Sequence, residues 1–276
     1  MCNQHTTKKT TPTSQPCLSI LPISQREFIL PDIQKITFFH GDVVQVNRND
    51  PQIQREPPNR TDSKITKLSA KSRRRLWFVT ATCGIAWKGF MTLTYPAVYP
   101  KSGKDVKRDL NAHLQWMRRR ELTTYLWFME FQTRGAPHVH ILTTNRPKFE
   151  DRRDFAARWS SYLADAYNLG DQAIAKVNSV HLHQRQWQTI RNSDGAARYV
   201  AKYAYKTRQK IVPEGFQDVG RFWGNSRDVV PREKMTVDVT ETEVRLLLRT
   251  MGHPAADYKI VPKYLFNLHH LDDSEP

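Results

Sequence analysis

Three cysteines in 276 residues, Cys2, Cys17 and Cys83, are too few and too widely spaced for a disulfide framework or a thiolate zinc site. They are read as incidental in a reduced, cytoplasmic protein. No stretch approaches the roughly 20 apolar residues that a spanning helix needs. The first 19 residues also lack the basic start and apolar core of a secretory signal. No G-x-x-x-x-G-K-[ST] phosphate loop occurs, so no nucleotide-driven motor is expected, and there is no internal repeat. Acidic residues are scarce beside basic ones: 27 Asp and Glu against 43 Lys and Arg, a net charge of +16. Such an excess points to a polyanionic partner, most often nucleic acid. Charge alone does not separate DNA from RNA, from an anionic membrane surface, or from a purely structural basic role.

Residues 1–70 are rich in Thr, Ser, Pro, Asn and Gln, with apolar residues only in short pieces such as Ile36-Thr37-Phe38-Phe39. This composition buries little and predicts a loose polar and basic arm with a strand or two. Lys71-Ser72-Arg73-Arg74-Arg75 closes it, either as a solvated linker or as a phosphate-contacting patch. Order is expected from Leu76. A β-branched, alternating run over 90–95 reads as a strand stopped by Pro96. Helical spacing of Val106, Leu110, Leu114 and Met117 predicts a helix over 105–122. Strands are expected over 125–131 and 138–143, a helix over 152–167, a fourth strand over 177–183 and a helix over 195–207. A strand over 234–239 and a helix over 241–251 end the chain. This order predicts an α+β fold with a mostly antiparallel central sheet and helices packed on it. The expected division is an arm at 1–70, a catalytic domain at 71–225 and a strand-helix extension at 226–276.

His138-Val139-His140 places two imidazoles at i and i+2, on one face of a strand. Val139 and Ile141 then point the other way. Glu130 interrupts the apolar run Trp127-Phe128-Met129-Glu130-Phe131, where a carboxylate is costly unless paired or metal-bound. A hairpin through residues 132–137 would bring Glu130 beside the two rings, with Gln132 a weaker candidate on the same face. Two imidazoles and a carboxylate, without thiolate, suit Mg²⁺ or Mn²⁺, with Zn²⁺ or Co²⁺ also compatible. His181-Leu182-His183 has the same spacing and is a rival pair, but no carboxylate precedes it. His113, His181, His183, His269 and His270 otherwise read as packing or surface residues.

The segment Arg198-Tyr199-Val200-Ala201-Lys202-Tyr203-Ala204-Tyr205-Lys206 carries the second signal. In a helix Tyr199 and Tyr203 share a face, about 6 Å apart at Cβ. Lys202 and Lys206 each follow a tyrosine by three residues. Tyr205, roughly 200° further round than Tyr203, faces away. A phenol with a pKa near 10 is a weak nucleophile at neutral pH, and a neighbouring ammonium or a polarised phosphate would make its attack feasible. The alternative is an aromatic stripe packed on the sheet with solvated lysines.

Taken together these residues resemble the HUH endonucleases, in particular the two-tyrosine rolling-circle replication initiators of phages and plasmids. The resemblance spans roughly residues 76–224. Residues 90–95 are similar to the family's first motif, Pro137-His138-Val139-His140-Ile141-Leu142 to its metal motif, and Tyr199-Val200-Ala201-Lys202-Tyr203 to its tyrosine motif. Glu130 sits where many members keep a third ligand. Gly220-Arg221-Phe222-Trp223-Gly224 is similar to a segment that follows the tyrosines. The resemblance implies an RRM-like sheet, Mg²⁺ or Mn²⁺ as cofactor, and nicking and rejoining of single-stranded DNA at a replication origin through a 5′-phosphotyrosine. Tyr199 and Tyr203 would be the nucleophiles, helped by Lys202 and Lys206. The partners would be the origin DNA and a host helicase and DNA polymerase, in the cytoplasm of a bacterial host. Arg118, Arg119 and Arg120, Arg73 to Arg75 and the basic residues in 206–210 are candidate backbone contacts. Trp77, Trp127 and Trp187 are candidates for base stacking, though core packing suits each better. A transposase or relaxase of the same chemistry, or a non-catalytic basic nucleic-acid-binding protein, are the alternatives.

Overall fold

The computed structural model describes residues 33–40, 43–47, 64–146, 148–183, 186–191, 200, 211–250 and 263–267. Nine strands and five helices occur among them: β1 (Ile33–Phe39), β2 (Val43–Asn47), α1 (Ala70–Thr82), β3 (Gly89–Thr94), α2 (Gly103–Arg118), β4 (Tyr125–Phe131), β5 (Pro137–Thr143), α3 (Phe149–Tyr167), α4 (Asp171–Leu182), β6 (Trp187–Thr189), β7 (Trp223–Asn225), β8 (Glu233–Thr240), α5 (Glu241–Thr250) and β9 (Lys263–Asn267). The fold is α+β. Two sheets form, with orders β8-β1-β2-β9 and β6-β3-β5-β4-β7. Every pairing within them is antiparallel. No helix among the described residues is long and apolar enough to cross a membrane.

The five-stranded sheet is apolar on both faces because each is covered. β4 is buried at all seven positions. One face carries Met91, Leu93, Trp127, Met129, Val139 and Ile141, packed with Val106, Leu110 and Met117 of α2 and with Phe155 and Trp159 of α3. The other carries Phe90, Leu126, Phe128 and Leu142, packed with Leu76 and Val79 of α1 and with Val200. The strands flanking this core in sequence share the second sheet. β1 pairs with β8 from Ile33↔Thr240 onward, and β2 pairs with β9. Its small core is Ile36, Val44 and Val244. Trp127 and Trp187 are buried, as core packing requires.

Some local expectations need correction. Residues 177–183 do not form a strand: they belong to α4 and the turn after it. Val177 and His181 sit at i and i+4 on the buried side of that helix, a period that short alternation masked. The helix expected over 105–122 ends at Arg118, and Glu121 takes a left-handed φ of 61° that breaks the helical path. Helix α1 begins at Ala70, so the basic run is its first turns rather than a linker. Of the helix expected over 195–207, only Val200 is described, and it is helical.

A buried polar knot joins β3, α2 and α3. Asp109, with a fully covered side chain, accepts from the Tyr95 hydroxyl (3.0 Å), the Tyr162 hydroxyl (2.9 Å), the Tyr167 hydroxyl and the Arg108 guanidinium (3.0 Å). Burial, then the Asp109 charge, raises the Tyr95 phenol well above its ordinary value, so it stays a donor. Asp109→Ala strips three phenols of their shared acceptor. The expected loss is roughly 3–4 kcal/mol, since a buried donor left unmatched costs about 1–3 kcal/mol and two of these rings keep partial access to water. Thermal melting should therefore fall by about 10 °C. An unchanged melting curve would refute this account of the knot.

Two buried histidines on the same side make the fold acid-sensitive. Burial lowers the His113 pKa from 6.5 to about 3, helped by His181 and Arg158, and lowers that of His181 to about 4. His181 is nevertheless well matched, with Val177 O at 2.7 Å from Nδ1 and the Thr94 backbone N–H donating to Nε2. Both rings are neutral in the fold, whereas the unfolded chain takes up protons below about 6.5. The unfolded state thus binds more protons between roughly pH 6.5 and 3, and stability falls as pH is lowered through that window. Each ring contributes on the order of 3 kcal/mol of loss by pH 4. Urea midpoints measured from pH 7 to 4 should drop steeply, and His113→Leu should flatten the slope.

Candidate metal centre

The sequence sets this site through one hairpin and one neighbouring strand. β4 and β5 are joined by a tight turn in which Gln132 N–H donates to Ala136 O (2.9 Å) and Gly135 N–H to Gln132 O (2.8 Å). Gly135 has φ +80°, a conformation that glycine takes without steric cost. The turn fixes the register: Glu130 lies opposite His138, and Phe128 opposite His140. Side chains at alternate positions share a face, so Glu130, His138 and His140 converge. Their ligand atoms all lie within 4.8 Å of one another.

The three groups are not equivalent. Glu130 and His140 are 5% and 3% exposed, while His138 is half-buried and faces the opening. His140 Nε2 is 3.1 Å from Glu130 Oε1. The His140 ring is held between Phe90 and Phe128, with both centroids at 5.0 Å, and lies 4.7 Å from the His138 ring.

β3 completes the arrangement from the other side of β5. Its register sets Thr92 against His140 and Thr94 against His138. The Thr92 hydroxyl is 3.1 Å from His140 Nδ1, and the Thr94 hydroxyl 3.2 Å from His138 Nδ1. A threonine oxygen accepting from Nδ1–H leaves the Nε2 lone pair of that ring free to face a cation. Gln132 is not among the three converging groups. Its amide nitrogen lies 3.2 Å from His138 Nδ1 and its carbonyl accepts from Arg134 (2.9 Å). Arg134 in turn bonds the Tyr95 and Pro96 carbonyls, tying the hairpin to the end of β3. The two threonines escaped the sequence reading as functional residues. Their signal was present as alternate positions of one strand, but only the register shows which ring each meets.

The donor set tests well for a divalent cation. Two imidazoles and a carboxylate without thiolate match ions that take mixed nitrogen and oxygen ligands. A buried carboxylate set among Phe90 and Phe128 is what a site built to hold positive charge requires. The rival pair does not assemble: His181 is enclosed in α4 and hydrogen-bonded on both nitrogens, while His183 lies past its end.

Tyr199, Lys202, Tyr203 and Lys206 lie outside the described residues. Their neighbour Val200 is fully buried in the cluster with Leu76, Val79, Phe90 and Phe128. That cluster covers the sheet face on which Glu130 and the two histidines stand. Of the candidate backbone contacts, Arg120 pairs with Asp154 at 2.9 Å and Arg118 bonds the Tyr125 hydroxyl at 3.0 Å.

None of the curated proteins and none of the solved structures matches the chain. Residues 88–208 match the family model of the replication-associated protein ORF2. That stretch holds β3, the whole Glu130–His138–His140 cluster, both threonines, and the segment with Tyr199 and Tyr203. Over this part of its length the chain is similar to a family of replication proteins, and that similarity ties the metal-binding cluster to DNA replication.

Proposed function

We propose that this chain is a metal-dependent enzyme that nicks and rejoins single-stranded DNA to start and finish rolling-circle replication. The observation that carries this reading is the buried cluster of Glu130, His138 and His140 on a sheet face shared with Val200, inside the stretch similar to replication proteins. Glu130, His138 and His140 would hold Mg²⁺ or Mn²⁺. A bound divalent ion supplies Lewis acidity toward an oxygen of the scissile phosphate.

The chain's own groups then carry the transfer. The oxygen of Tyr199 or Tyr203 attacks phosphorus, the bond from phosphorus to the 3′ oxygen breaks, and the phenolic proton ends on the departing 3′-hydroxyl. The products are a tyrosine bearing the 5′ phosphate and a free 3′ end for a host polymerase, with a host helicase opening the duplex. Lys202 and Lys206 favour the phenolate by charge. In the reverse step a 3′-hydroxyl attacks the phosphotyrosine, which restores a phosphodiester and frees the phenol. No outside energy source is needed, because the covalent bond conserves that of the cleaved diester. Two tyrosines would let cleavage and joining alternate.

The test is incubation with end-labelled single-stranded origin DNA and Mn²⁺, followed by denaturing electrophoresis. A covalent protein–DNA band that disappears with EDTA is expected. A wild-type protein that never forms the band on its own origin would end the proposal.

A further inference from the structure

A second basic feature lies at the far edge of the same sheet. A groove of about 780 Å³ runs between residues 64–75 and residues 220–225. Its lining includes Lys64, Lys67, Lys71, Arg75 and Arg221, and no carboxylate. All five cations are exposed, and none makes an ion pair among the described residues. This differs from Arg120, which Asp154 already neutralises.

Local structure holds the charges in line. Lys67 bridges to Ile211, and Val212 N–H donates to Thr66 O (2.8 Å), so the segment before α1 is fixed. Lys71 and Arg75 stand at i and i+4 of α1, on one face. No acidic residue occupies the first turn of that helix, so its positive pole adds to the field. The Trp223 indole N–H donates to the Ser72 hydroxyl (2.9 Å), which ties α1 to β7 and closes the wall.

The groove also has aromatic surface and a direction. Trp127 and Trp223 line it. Gly224 lies so close to Trp127 that a Cβ there would sit 3.0 Å from its ring nitrogen. β7 runs antiparallel to β4 with Trp223 opposite Phe128, and Met129 N–H donates to Phe222 O (2.8 Å). Met129 is the residue before Glu130, and the Phe128 ring is 5.0 Å from His140. The groove therefore follows an edge strand that leads to the metal-binding cluster.

We propose that this groove is a track for the sugar-phosphate backbone of single-stranded DNA, guiding the strand along β7 toward Glu130, His138 and His140. The inference rests on the proposed function for its choice of DNA. The charge row and adjacent aromatic faces are themselves what sequence-independent single-strand binding requires. The strand is held by charge on phosphates, so affinity here is salt-dependent and indifferent to sequence.

The experiment measures binding of labelled oligothymidylate by fluorescence anisotropy across a salt series. The variant is Lys67→Ala/Lys71→Ala/Arg75→Ala/Arg221→Ala. Each phosphate contact on a single strand contributes about 0.7 to the slope of log affinity against log salt, so the slope should shrink by roughly 3 and affinity fall roughly tenfold or more. The charge-keeping variant Lys67→Arg/Lys71→Arg/Arg75→Lys/Arg221→Lys should keep the wild-type slope. If the fourfold alanine variant does not fold, Lys71→Glu alone must still lower the slope by roughly 0.7 or more. An unchanged slope and affinity would overturn the track, as would duplex DNA competing as well as the single strand. A wild type that forms no covalent band, yet loses its slope in the alanine variant, would refute the nicking reading and leave the track standing. A band with a slope independent of the groove would do the reverse.

Discussion

Replacing both Tyr199 and Tyr203 with Phe should remove the covalent protein–DNA band altogether, with a fall in nicking on the order of 10⁴-fold. Each change deletes one oxygen and keeps the ring, so packing is preserved and the loss reports chemistry. Without a phenolic oxygen no bond to phosphorus can form, and what is left is slow hydrolysis. The single variants should behave differently from the double one. Tyr199→Phe or Tyr203→Phe should each retain one half-reaction, so one permits a first cleavage and the other blocks rejoining of a second strand. Peptide mapping of the linked residue separates these outcomes. A phosphotyrosine at Tyr205 would contradict the proposal, because in a helix that residue stands roughly 200° round from Tyr203. Full activity in the double variant would remove tyrosine from the mechanism entirely.

Replacing His138 and His140 with Ala should slow nicking in Mn²⁺ by roughly 10³-fold or more, while oligothymidylate binding persists. Lewis acidity at a phosphoryl oxygen is worth several kcal/mol, and each 1.36 kcal/mol is a factor of ten. The two histidines should not weigh equally. His138 is half-buried, so His138→Ala removes a ligand and little packing. His140 lies between Phe90 and Phe128 and faces Glu130 at 3.1 Å. His140→Ala therefore leaves a buried carboxylate without that partner, and should lower stability as well as activity. Melting curves with and without Mn²⁺ test the same point. The wild type should gain melting temperature on adding Mn²⁺, because a ligand that binds only the folded state stabilises it, and the double variant should not. Equal Mn²⁺ stabilisation of both proteins would move the metal elsewhere.

Much of the core was legible because burial imposes period. The strands at 125–131 and 138–143 and the helix near 149–167 carried patterns that their packing then enforced. Glu130 stood out because a lone carboxylate in an apolar strand needs a partner, and the histidine pair because alternate strand positions share a face. Reading failed where a short segment fits two periods. In α4, alternation over 177–183 hid a helical spacing of Val177 and His181. Helix α1 was missed because its basic first turns look like a solvated linker. Strands β6 and β7 are three residues each, too short to show any period, and exist because a neighbouring strand offers its edge.

The sequence by itself determined which groups this protein brings to its chemistry: two imidazoles and a carboxylate on strands, paired tyrosines with paired lysines, and a large excess of positive charge. Those follow from residue type and local spacing, which a chain carries unaided. Tertiary structure alone decided which groups meet. The β4–β5 register sets Glu130 beside His138, and the β3–β5 register aims Thr92 and Thr94 at the ring nitrogens. The packing of α1 against β7 gathers cations from residues 64–75 and Arg221 around one groove. Such meetings depend on contacts between residues far apart in the chain, and no local period encodes them.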